Sequence, residues 1–213
     1  MLRPGARAFL FSLLAAGGVW MASSDPAIAQ TVTASQYGFS FSLPPKWTEI
    51  PLTAKDLGAL LRVLTQANPA MKNALSQEAV DAAKEGLKVF AVGPISGNFI
   101  PNLNILVKAA AGLPTGSAFV NLMSAEVQII LGSVGATHVD IGATDLHLGK
   151  AVEASYLLKL KFAGHSISER GLQLYFQHVG RLYVVTFSAL SLTEDQAAAH
   201  VVEDSWQWRA ITG

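Results

Sequence analysis

The chain has 213 residues, 51% of them apolar and 14% charged, with Lys plus Arg equal to Asp plus Glu at 15 each. That is enough apolar material for a packed core and too much for an unfolded chain. Neither sign of charge forms a block, so no basic face for nucleic acid and no polybasic run for anionic membrane is present.

The first 29 residues have the features of a signal peptide. Arg3 and Arg7 supply a positive start, Ala8 to Ala22 an apolar stretch of about fifteen residues, and Ala27-Ile28-Ala29 a small-x-small site. Cleavage is expected before Gln30. The apolar stretch is shorter than the roughly twenty residues that a membrane span needs, which disfavours a retained anchor. No other long apolar run follows, so no membrane span is expected after cleavage. Cysteine is absent, which excludes a disulfide scaffold and a lipidated N-terminal Cys. Without Arg3, Arg7 and Asp25 the mature chain is close to neutral. No repeat or linker divides residues 30–213, which are expected to form one domain.

Tyr37 to Leu43 alternates, with Tyr37, Phe39, Phe41 and Leu43 on one side of a half-buried strand that Pro44-Pro45 ends. Trp47 is expected to pack under that turn. Thr53 with Asp56 begins a helix carrying Leu57, Leu60, Leu61 and Leu64, closed by Asn68-Pro69. Ala70 to Glu85 reads as one broken or two short helices. Leu87 to Val92 and Asn102 to Ala110 read as paired strands. Ser117 is placed as the cap of a helix to about Leu131 with a stripe of Val120, Met123, Val127, Ile130 and Leu131, and Gly132 as its stop.

His138 to Thr144 is a strand, Leu146 to Gly149 a turn, Ala151 to Phe162 a long strand, and Gly164 to Ser166 another turn. Gly171 to Leu190 is the organising segment. It reads as an antiparallel hairpin broken at His178–Arg181, pairing Phe176 with Tyr183, Leu174 with Val185 and Leu172 with Phe187 on one face. Gly180 suits the turn, whereas Val179 is a poor residue for it. Thr193-Glu194-Asp195-Gln196 reads as a capping box, opening a helix with Ala197, Val201 and Trp208 on one side.

Several patterns bear on chemistry. His138 with Asp140, and Asp145 with His147, each project from one strand face. Folded against each other, the pairs offer two imidazoles and two carboxylates to Zn²⁺ or a similar ion. Polar decoration of an exposed strand and turn is the simpler reading and is preferred. Gly164-His165-Ser166-Ile167-Ser168 lacks the last Gly of a nucleophile elbow and sits between strands, so it is read as a polar turn. His200, Glu203 and Asp204 read as a solvated helix face, and His178 as a turn residue. Gly142 with Gly149-Lys150-Ala151 has the wrong spacing for a phosphate loop. Trp206-Gln207-Trp208 offers rings for stacking a ligand, but packing at a helix end is preferred. No catalytic residue and no cofactor is assigned.

The order of YGFSFSLPPKW (Tyr37–Trp47), LGKAVEASYLL (Leu148–Leu158), RLYVVTFSA (Arg181–Ala189) and a closing helix with Ser205-Trp206 resembles the Mog1/PsbP-like domains, including exported bacterial proteins of the Lpq type. The resemblance implies an α+β fold, an antiparallel β-sheet of about six or seven strands with helices packed on both faces in an α/β/α sandwich. It also implies an exported, non-enzymatic binding or accessory protein of the bacterial cell envelope, periplasmic or secreted. The partner is then an unknown envelope protein or, as the alternative, a small apolar ligand or lipid held in a cleft between sheet and helices. The shared motifs contain no catalytic residues to carry over.

Overall fold

The computed structural model describes residues 30–50, 86–94, 99–162 and 165–211. The leader, the helices read between Thr53 and Glu85 and the Gly164 end of the turn lie outside the described residues. In chain order the elements are β1 (Thr31–Ala34), β2 (Phe39–Ser42), β3 (Thr48–Glu49), β4 (Leu87–Val92), β5 (Asn102–Ala109), α1 (Gly116–Ser133), β6 (Thr137–Leu146), β7 (Gly149–Phe162), β8 (His165–His178), β9 (Arg181–Ala189), α2 (Leu192–Ser205) and β10 (Gln207–Trp208). The fold is α+β. Seven strands form an antiparallel sheet in the order β3-β4-β5-β9-β8-β7-β6, and β1-β2-β10 form a small second sheet.

The β8–β9 hairpin sits inside the large sheet with the register its alternation dictates: Phe176 opposite Tyr183, Leu174 opposite Val185 and Leu172 opposite Phe187. Both turn residues take positive φ, Val179 at 44° and Gly180 at 69°. That is the backbone hand of a two-residue hairpin. Val179 accepts it against the preference of a β-branched residue, and its side chain is 71% exposed.

The residues of β8 alternate between two apolar clusters. Leu172, Leu174 and Phe176 join Phe39, Phe41, Trp206 and the α2 residues Ala198, Ala199 and Val202. Tyr175 joins Val152, Tyr156 and Val184 with the α1 residues Phe119, Met123, Val127, Ile130 and Leu131. Burying a side chain of this size contributes about 1.5–3 kcal/mol, so each cluster is a real share of the stability. Gly171 pairs with Tyr156, and a Cβ there would fall 2.2 Å from the tyrosine ring. Only glycine lets that ring lie across the strand.

Several boundaries depart from the sequence reading. Helix α1 begins at Gly116 behind Thr115 and not behind Ser117, and it runs past Gly132 to Ser133. Phe119 takes the buried place expected of Val120, which is only half-buried. Tyr37 lies in a 3-10 turn ahead of β2. The cap of α2 is Ser191, whose Oγ accepts from the Glu194 N–H at 3.2 Å. The cap therefore lies two residues ahead of the Thr193–Gln196 match. Ala198, Ala199 and Val202 are the buried apolar residues of α2, not Ala197 and Val201. Trp208 belongs to β10, opposite Phe39, and not to the helix.

Candidate functional site

Strand β6 settles the spatial relation of the proposed metal residues. It runs unbroken from Thr137 to Leu146, a span of about 30 Å at strand rise, and only His147 and Leu148 separate it from β7. The pair His138 and Asp140 therefore lies toward one end of the strand, and the pair Asp145 and His147 toward the other, so the two cannot fold against each other. Asp140 is exposed and sits opposite Ser155 of β7. Five residues separate Asp140 from Asp145, about 17 Å along the strand, and an odd separation turns the two carboxylates to opposite faces of the sheet. His138 is exposed with φ at 51° beside a register shift. Asp145 pairs with Lys150, its cross-strand neighbour, at 2.6 Å. His147 Nε2 lies 3.3 Å from the Trp206 carbonyl. Among the described residues no group of three or more His, Asp or Glu side chains converges as a metal site.

The tryptophans have separate roles. Trp206 is 4% exposed and stacks on Phe39 at 4.6 Å and on Phe41 at 5.5 Å, in the core. Trp208 is half-buried and stacks face to face on His178 at 3.7 Å. That contact takes His178 out of the bare-turn role, and burial lowers its pKa. On α2, burial raises the Glu203 pKa, with the His200 charge opposing it, so this helix face is not fully solvated.

A groove of about 450 Å³ lies beside α2. One wall is the helical stripe Glu194, Ala197, Ala198 and Val201, spaced i, i+3, i+4 and i+7. Ala197 and Val201, read from sequence as lying on one side of this helix, face the groove. The remaining lining is Pro44, Pro45 and Trp47 between β2 and β3, Pro94 after β4, Pro101 before β5, and Ala189 at the end of β9. Proline has a fixed φ and no N–H, so these walls are stiff and offer few donors.

Local bonds hold the walls in place. The Ser205 Oγ at the end of α2 accepts from the Ser42 N–H at 2.9 Å and donates to the Val201 carbonyl at 2.6 Å. Leu43 N–H donates to Gln30 O, and Trp47 N–H to Pro44 O. Gly93 N–H donates to Pro101 O at 2.7 Å, joining the two loop walls. The Trp47 indole packs so closely on Gly93 that a Cβ there would fall 2.7 Å from it. Sequence reasoning missed this groove. Its one visible sign is the recurrence of Pro-Pro, Gly-Pro and a lone Pro at strand ends.

At the N-terminal end of the α2 stripe the electrostatics are acidic. Asp195 is 2% exposed and its Oδ2 is buried without a hydrogen-bond partner among the described residues. Burial pushes its carboxyl up to about 8; the charges of Glu169 and Glu194 add to the rise, and Arg170 opposes it. Glu194 is the one ionisable side chain among the described lining residues. The groove therefore has the means to bind, through apolar contact and a single charge. Its described lining brings together no nucleophile and base.

No family model matches the chain, and no curated protein matches it. Among solved structures it is similar to cyanobacterial PsbP from Synechocystis, with 14% identity over 88% of this chain and 96% of that one, at a TM-score of 0.46. It is also similar to LpqN, involved in cell envelope biogenesis of Mycobacterium tuberculosis, with 12% identity over 88% and 87% of the two chains, at a TM-score of 0.45. A Bacteroides thetaiotaomicron protein aligns with 8% identity over 85% of this chain and 48% of that one, at a TM-score of 0.49. The names PsbP and Lpq also occur in the resemblance read from the sequence.

Proposed function

We propose that the protein is an exported, non-enzymatic binding or accessory protein of the bacterial cell envelope, periplasmic or secreted. In this reading residues 1–29 are a cleaved signal peptide. Residues 30–213 form one Mog1/PsbP-like domain with helices on both faces of the sheet. Support for the two-faced arrangement comes from α1 and α2 packing on alternate residues of the same strands, Tyr175 and Val184 against Leu172 and Leu174. Among the described residues no helix is long and apolar enough to cross a membrane.

The observation that carries the binding reading is the proline-walled groove beside α2. Its stiff apolar lining favours association, because little ordering is needed when a partner arrives. Its volume of about 450 Å³ is in the range of pockets that hold small molecules, which favours a small apolar ligand or lipid as occupant over a flat protein contact. Capture of protein and lipid from an envelope extract by the purified protein, beside Ala197→Arg, is the test. A species held by the native chain and released by Ala197→Arg is the expected result. Equal capture by both overturns the groove as the binding surface. N-terminal sequencing of exported protein should begin at Gln30, and a chain keeping Met1 in the membrane fraction overturns the processing.

A further inference from the structure

The small-ligand reading of the groove leaves open what chemistry its occupant carries, and the placement of charge along α2 bears on that. Ala197, Ala198 and Val201 line the groove without a hydrogen-bonding side chain, and Glu194 continues the same stripe one turn toward the helix start. The groove is thus apolar along the helix and negative at one end. The charge at that end is the exposed Glu194 carboxylate. Asp195 lies buried next to Glu194, and Glu169 of β8 is close enough to act on it electrostatically. Among the described residues that act on Asp195, Arg170 opposes the rise. Burial first, and then the Glu169 and Glu194 charges, hold the Asp195 carboxyl in its neutral form up to about pH 8.

We propose that the groove binds an amphiphile, with its apolar chain along Ala197 and Val201 and a cationic head group at Glu194. An anionic head, as on a fatty acid, meets repulsion at the same place, so head-group charge sets the choice of ligand. The inference rests on the small-ligand reading of the groove and adds sign and orientation to it.

The test is calorimetric titration of the purified protein with dodecyltrimethylammonium and with dodecanoate, each below its micelle concentration. Attraction for one head and repulsion for the other should separate the two affinities by about tenfold in favour of the cation. Glu194→Gln keeps the length of the side chain at the third helical position and should bring the affinities together. Ala197→Trp fills the groove at an exposed position and should abolish binding of both. Equal affinities in the native protein, or a preference that survives Glu194→Gln, overturn the cationic assignment while leaving the groove as an apolar site. Failure of both probes to bind, or binding unaffected by Ala197→Trp, overturns the cationic assignment and the groove reading together.

Discussion

The two sides of β8 are both buried, yet they are built from different chemistry. One side presents Leu172, Leu174 and Phe176 to the cluster around Phe39, Phe41 and Trp206. The other carries Glu169, Gln173 and Tyr175, with Asn102, Asn104, Thr186 and Ser188 on the neighbouring strands, all essentially inaccessible. On that side the Tyr175 hydroxyl donates to Gln173 Oε1, and Gln173 Nε2–H donates to Thr186 Oγ1 at 3.3 Å. The apolar side gains free energy from removal of surface from water and is insensitive to direction. The polar groups, which share their side with the α1 cluster, gain little net themselves, but a broken partner among them is costly, so they fix which residues meet.

The largest expected effect breaks the apolar side. Leu174→Ala leaves a cavity against Val185 and should cost about 2–5 kcal/mol in urea unfolding. A loss below that of a polar-side substitution would mean the apolar side is not the main source of stability.

Next is Asp195 of α2, on which Glu169 acts electrostatically. Its folded carboxyl sits at about 8 against an ordinary value of 3.8, so the folded protein keeps a proton that the unfolded chain releases. Stability is then full below pH 3.8 and falls as pH rises through about 8. The loss is on the order of a few kcal/mol. Asp195→Asn cannot ionise and should flatten that slope, as read from unfolding midpoints across the range. An unchanged slope would place the proton elsewhere.

Gln173→Ala sharpens the contrast with its neighbour Leu174. Alternation puts position 173 on the face opposite Leu174, where helices on both sides of the sheet are expected to give partial cover and a milder loss. The structure buries it completely and makes it the acceptor for Tyr175, whose hydroxyl pKa burial raises. The substitution should cost about 1–3 kcal/mol, the penalty of a buried donor left without its acceptor. Tyr175→Phe in the same background should then recover part of that loss, because the stranded hydroxyl is gone. No recovery would mean that the loss comes from packing.

The smallest effect lies at the hairpin tip, outside both faces. Val179 holds positive φ with an exposed side chain. Val179→Asn should raise stability by about 0.5–1 kcal/mol, because Asn accepts that backbone more readily. A decrease would show that the valine side chain has a packing role at the tip.

Much of the hairpin was legible because its information is local. Alternation from Gly171 to Leu190 has a period of two, and a slip by one residue would turn Leu172, Leu174 and Phe176 away from Phe187, Val185 and Tyr183 together. Helix caps were legible only to within two residues. Ser191-x-x-Glu194 and Thr193-x-x-Gln196 both match a capping box, and the choice depends on where β9 lets the chain go. The pairs on β6, read from the sequence as polar decoration, show a similar limit of local spacing. The spacing of His138 and Asp140 is right for one strand face, as is that of Asp145 and His147, but a strand that runs on to Leu146 keeps Asp140 and Asp145 apart.

By itself, the sequence determined the alternation and register of the central strands, since apolar period and turn residues act over a few positions. Only the tertiary structure decided that Gln173 is as buried as Leu174, because cover over a sheet face comes from distant segments. It alone decided the groove as well. Pro44, Trp47, Pro94, Pro101 and Val201 are spread over most of the chain, and no local pattern records that these separate segments end beside one another.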